Sequence, residues 1–131
     1  MPYRPHIIDL LGTGLAECPK YHDGLDSFLI RAGVSKARVD AARAEADERD
    51  KASRIKYQRA PKRLVARAIL ADLARGTPDD DRVVAALITG LCKGTWPDPT
   101  NDGLTAVEDL KVEQVVERQE VQRQRAERQL Q

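Results

Sequence analysis

Seven basic side chains follow one another between residues 51 and 67: Lys51, Arg54, Lys56, Arg59, Lys62, Arg63 and Arg67. No acidic residue intervenes, and Tyr57 stands among them. Such a run can track a phosphate backbone by charge alone, without reading sequence, or meet an acidic protein surface. It equally suits a solvated or internally paired face. Asp40, Glu45, Asp47, Glu48 and Asp50 lie just ahead of it, and charge runs commonly pair within the chain or stay in water.

Other candidate chemistry is thinner. Asp79, Asp80 and Asp81 offer three carboxylates, but consecutive positions on a helix fan out around its axis and cannot converge on one cation unaided. Acidic groups in a first turn are already stabilised by the helix's positive end. Gly12-Thr13-Gly14 echoes a dinucleotide fingerprint, yet Glu17 stands where a third small residue is needed and Pro19 stops the helix the motif requires. Lys93-Gly94-Thr95 reverses the order of a phosphate loop and falls at a helix end whose carbonyls repel anions. His6 and His22 have no neighbour at catalytic spacing, and Cys18 and Cys92 lie in no metal or redox spacing. With no nucleophile, base and orienting group together, the expectation is a protein that is not an enzyme and needs no cofactor or metal.

The 131 residues suffice for one core. Apolar residues make up 41% and aromatics only 4%, so that core is aliphatic and favours helix on helix. Basic and acidic groups number 22 and 21, which removes any global electrostatic case for nucleic acid or membrane. No apolar run is long enough to span a bilayer, and the start lacks a signal-peptide core. A reduced, cytoplasmic protein with no membrane partner is expected.

The elements that must position these groups are read from periodicity. Residues 61–94 predict a helical hairpin. Leu64, Val65, Ala68, Ile69 and Leu73 share one face; Val83, Val84, Leu87, Ile88, Leu91 and Cys92 share another. Pro61 suits a first helical position, Gly76 a left-handed end, Thr77 an N-cap, Pro78 the next first position and Gly94 the closing cap. Ahead of it, Ile7, Ile8, Leu11 and Leu15 form a short helix bent at Gly12 and Gly14. A second helix, residues 22–32, carries Leu25, Phe28 and Leu29, with Asp23 as cap and Gly33 as stop. Ser35 caps a third, with Val34 and Val39 as a hydrophobic staple. Its length to about Arg59 is rich in alanine and charge, giving a thin contact face.

Trp96-Pro97-Asp98-Pro99 is a rigid loop whose tryptophan plugs one end of the core. A last helix starts at Thr100 or at Thr105, which has capping-box spacing with Glu108; Leu104, Val107 and Leu110 point it at the core. Residues 113–131 are helix-forming but make a poor coiled-coil seam. They fit a solvated helix, an oligomerisation arm, or a connector to a further domain. The expected architecture is all-α: a compact bundle of five to six helices over residues 1–112, with the hairpin central, and a protruding polar helical extension at 113–131. The expected role is a non-enzymatic interaction module, self-associating into a homo-oligomer or docking a protein partner. Nucleic-acid binding through Lys51–Arg67 is the alternative.

Overall fold

A computed structural model describes residues 3–50, 60–75, 77–96 and 98–130, with side chains undescribed at 115–122 and 129–130. Among the described residues the elements are all helices: α1 (Pro5–Glu17), α2 (His22–Ala32), α3 (Lys36–Asp50), α4 (Lys62–Ala74), α5 (Pro78–Lys93) and α6 (Asn101–Leu130).

The stripes of the hairpin lie inside. Val65, Ala68, Ile69 and Leu73 of α4 are buried, as are Val84, Leu87, Ile88 and Leu91 of α5. Leu64, Val83 and Cys92 are partly buried against the same core. Local chemistry sets the ends. Thr77 Oγ1 accepts from the Asp80 amide at 3.2 Å, and Pro78 opens α5, satisfying an orphan N–H at no cost to the helix. Pro61 sits one residue before α4, in extended backbone, and acts as its N-cap position. The expected end at Gly76 lies outside the described residues. Gly94 does cap α5 but in extended backbone (φ −68°, ψ 148°), not the left-handed form. Glycine is needed there for space: a Cβ would stand 2.8 Å from Gly90 O and 3.2 Å from the Trp96 ring.

The expected central hairpin is only roughly matched: among the described residues the most extensive packing is that of α1 against α6 and α4, and α4 and α5 touch each other less. Here the structure corrects the sequence. α1 runs through Gly12 and Gly14 as one helix. A Cβ on Gly14 would stand 2.8 Å from Leu91 Cδ1, so this glycine admits a core leucine and does not serve a bend. α1 runs antiparallel to both neighbours. Its end at Glu17 and Cys18 meets Thr100 and Gly103 of α6, while Arg4 and His6 at its start meet Glu113. Likewise Lys62, at the start of α4, reaches the carbonyls after α1, and Gly12 lies against Leu70.

The smaller helices follow the local signals unevenly. Gly33 closes α2 with φ 114°, and the Val34 amide bonds to Leu29 O at 3.1 Å, a two-bond left-handed stop that a side-chain-bearing residue resists. Asp23 does not cap α2, which starts at His22 without a side-chain cap. Ser35 Oγ accepts from the Arg38 amide at 3.2 Å, and Val34 and Val39 are both buried. α3 buries only Val39, Ala42 and Ala46, the thin face expected of it; beyond Asp50 the anticipated extension lies outside the described residues. α6 starts at Asn101 and not at Thr105. Thr100 is the cap, its Oγ1 accepting from the Gly103 amide at 3.1 Å. Ala106, Val107 and Leu110 are buried, whereas Leu104 is exposed, contrary to its expected place in the core.

Candidate functional site

Of the basic run, Lys51, Arg54, Lys56 and Arg59, together with Tyr57, lie outside the described residues. The remaining three diverge. Lys62 Nζ donates to Pro19 O and to Lys20 O, the latter at 3.1 Å, so its charge closes the turn after α1. Arg63 and Arg67 lie one helical turn apart on α4, exposed, on the rim of a groove of about 650 Å³ between α1 and α4. Its floor is small and apolar (Gly12, Ala16, Leu70 and Ala71), and Asp9, Glu17 and Asp102 share its rim. Neither arginine forms a hydrogen bond or ion pair among the described residues. Of the acidic residues ahead of the run, Asp47 Oδ1 takes the Ala60 amide at 3.1 Å and Glu45 pairs with Arg49 at 2.9 Å.

The aspartate triplet separates as its spacing dictates. Asp79 pairs with Arg82 at 3.3 Å on the surface. Asp80 takes both ends of the Arg38 guanidinium, at 2.7 and 3.4 Å, while Arg38 Nε reaches Asp72 at 2.8 Å. Hydrogen bonds from Arg38, then its charge and a backbone bond at Thr77, hold the Asp80 carboxyl below the usual range against a smaller opposing effect of burial. The same bonds to Asp80 and Asp72 raise Arg38. Asp81 Oδ1 is buried and finds no partner among the described residues. Among those residues no group of three His, Cys, Asp or Glu is arranged to hold a metal ion.

A second charged cluster was not legible beforehand. Arg43 of α3 forks onto Asp26 of α2 at 2.6–3.0 Å, and also meets His22 through Nδ1 at 2.8 Å and its carbonyl at 3.1 Å. Planar bidentate pairing of this kind fixes orientation as well as proximity. Arg38 and Arg43 look like ordinary surface charge in the sequence; only the packing reveals their partners. Cys18 is buried, its thiol directed at Gly103 O at 3.6 Å, and burial, with a smaller push from Glu17, raises its pKa to about 11. Cys92 is raised as well, chiefly by burial.

Trp96 caps the core as expected. Its ring meets Phe28 edge to face at 5.4 Å between centroids, and Nε1 donates to Leu91 O at 3.3 Å. Beside it a cleft of about 450 Å³ opens between α2 and α5, lined by Phe28, Gly90, Gly94 and Trp96 and rimmed by Arg31, Lys93 and Thr95.

α6 outruns the bundle. Among the described side chains its last ion pair with the start of α1 is at Glu113, and the helix continues to Leu130, about 25 Å further at 1.5 Å per residue. Val112 is 60% exposed, and the side chains of Arg123 to Arg128 are all exposed. Among the described residues no helix is long and apolar enough to cross a membrane. No protein-family model, no curated protein and no solved structure matches the chain.

Proposed function

We propose that this chain is a non-enzymatic helical interaction module that associates with a second copy of itself through the outer half of α6. The observation that carries it is the length of α6 beyond Glu113, its last described ion pair with the start of α1. A polar helix in water gains little from propensity alone, and persistence over that length calls for tertiary or quaternary support.

The charge order supplies the partner. Residues 113–120 hold three Glu and one Arg, whereas 121–131 hold three Arg and one Glu. Two copies laid antiparallel set each acidic half against the other's basic half, with opposed helix dipoles adding to the attraction. Parallel copies would set like against like. Glu113 is already held by Arg4 and His6, which leaves Glu117 and Glu120 of each copy; exposed pairs are worth about 0.2–1 kcal/mol each, so four of them with some apolar contact give a weak dimer, with a dissociation constant on the order of 100 µM.

The test is light-scattering mass over a concentration series, at low and high salt, for the full chain and for the variant Arg123→Glu/Arg125→Glu/Arg128→Glu. The expected result is a dimer fraction that rises with concentration, falls with salt and vanishes in the variant. A full chain that stays monomeric at several hundred micromolar at low salt overturns the proposal.

A second proposal, nucleic-acid binding through the basic run, draws support from Arg63 and Arg67, which stand exposed and unpaired among the described residues. It calls for a low-salt gel shift that is lost in Arg63→Glu/Arg67→Glu. Absence of any shift removes it.

A further inference from the structure

The cleft between α2 and α5 joins an aromatic floor that belongs to the core to a cationic rim that the packing of the bundle does not use. Its floor is aromatic and glycine-lined. A Cβ on Gly90 would stand 2.9 Å from the Phe28 ring, and one on Gly94 3.2 Å from the indole, so the two glycines bring backbone directly onto the rings. Its rim is cationic, with Arg31 and Lys93 and no carboxylate. Lys93 forms no hydrogen bond or ion pair among the described residues, and Arg31 donates only to Ser27 O, at 3.4 Å. These are unlike Arg38 and Arg43, whose guanidinium groups are consumed by aspartates.

The competing explanation is that Arg31 and Lys93 merely offset the negative ends of α2 and α5, in whose last turns they lie. Each such end carries about half a unit charge, so two full cations leave an excess of about one positive charge. The carbonyls nearest the cleft are moreover already occupied. Gly90 O accepts from the Gly94 amide at 2.8 Å and Leu91 O from Trp96 Nε1 at 3.3 Å.

α2 and α5 run antiparallel, Phe28 lying against Gly90 and Gly33 against Val83. Arg31 and Lys93 are therefore separated by about two turns, roughly 10 Å, along the cleft. A planar ring beside Trp96, with phosphate stretched along the line from Lys93 to Arg31, fills that space. The volume falls within the range of small-ligand sites.

We propose that this cleft binds a free nucleotide, its base against Trp96 and its phosphates between Lys93 and Arg31. Trp96 is the chain's only tryptophan, so its fluorescence reports on the cleft alone. Titration of the full chain with ADP, excited at the red edge of the indole band and corrected with free tryptophan, is expected to quench saturably, with half-saturation on the order of 0.1–1 mM. Lys93→Gln/Arg31→Gln, both at exposed positions, is expected to melt like the unmodified chain and to bind at least about tenfold more weakly, as for loss of a charge-assisted hydrogen bond. Inorganic phosphate alone is expected to leave the fluorescence unchanged. The proposal is overturned by linear, non-saturating quenching to 5 mM, by unchanged affinity in the double variant, or by saturation with a short single-stranded oligonucleotide but not with ADP.

Discussion

Gly103→Ala tests the joint from which α6 departs. In an exposed helix, replacing glycine by alanine stabilises by up to about 1 kcal/mol, because less backbone entropy is lost on folding. At Gly103 a Cβ would lie 3.0 Å from both the carbonyl carbon and the oxygen of Glu17, and 3.1 Å from its Cβ. Two of these neighbours are backbone, which cannot step aside, so α1 and α6 must separate by a few tenths of an ångström. That movement loosens the Thr100 amide bond to Glu17 O at 3.2 Å, the Thr100 hydroxyl bond to its carboxylate at 2.9 Å, and the Cys18 contact. Overpacking costs about 1–3 kcal/mol. Set against the entropic gain, the expected net is a destabilisation of about 1–2 kcal/mol. For 131 residues, an unfolding entropy of about 2.1 cal/mol/K per residue converts this to a fall in Tm of about 4–7 °C. Gly24→Ala is the matched control: its Cβ would meet only Pro19 Cβ at 3.8 Å, an ordinary contact on an exposed face, and the variant should be more stable by up to about 1 kcal/mol. Thermal melts followed at 222 nm read both. If Gly103→Ala melts at or above the unmodified chain, the α1–α6 contact as described is wrong.

Four further outcomes are expected. Thr77→Ala removes the acceptor for the Asp80 amide and should cost about 1 kcal/mol in urea unfolding, with the m-value unchanged. In a Cys92→Ser chain the remaining thiol, Cys18, should react with a disulfide reagent at pH 8 at least about a hundredfold more slowly folded than in guanidinium, because at about 11 its thiolate is on the order of 0.1% of the thiol; equal rates would refute the burial. Asp80 is held below its ordinary value near 3.8, so the folded state binds that proton less tightly than the unfolded chain. Its contribution is present above that ordinary value and is lost as the pH falls through the lower folded value. Stability measured against pH should therefore have a shallower acid limb in Asp80→Asn. Arg43→Leu, which removes the bidentate partner of Asp26, should cost about 1–3 kcal/mol, while Arg49→Ala on the same helix stays within about 0.5 kcal/mol.

What could be read in the sequence was whatever neighbours along the chain decide. The stripes of α4 and α5, the caps at Thr77 and Ser35 and the stop at Gly33 depend on residues three to five positions away, and they appear where the pattern put them. Trp96 was placed by its size and by the prolines after it. Contacts between distant segments were not legible. Gly14 looked like a bend because only Leu91, 77 positions on, explains it. Leu104 shares the apolar pattern of α6 but is exposed. Arg38 and Arg43 were indistinguishable from Arg49 until α2, α4 and α5 supplied their aspartates. The basic run illustrates the same limit: Lys62 and Arg63 are adjacent in sequence, yet one is drawn to carbonyls and the other points to water.

The thinness of α3 gives the pairs made by Arg38 and Arg43 their structural weight. A helix that buries one valine and two alanines removes little apolar area from water, at about 25 cal/mol per Å², and cannot be held by that alone. Arg38 and Arg43 supply directional ties to α2, α4 and α5 instead, and in doing so consume Asp26, Asp72 and Asp80. Among the described residues two pairs of cations without an ion-pair partner stand over concave places: Arg63 and Arg67 over the α1–α4 groove, and Arg31 and Lys93 over the Trp96 cleft. The groove retains Asp9, Glu17 and Asp102 on its own rim, which blunts its appeal to an anion; the cleft has none. Of these two concave places, the Trp96 cleft is therefore the one whose lining carries charge of a single sign.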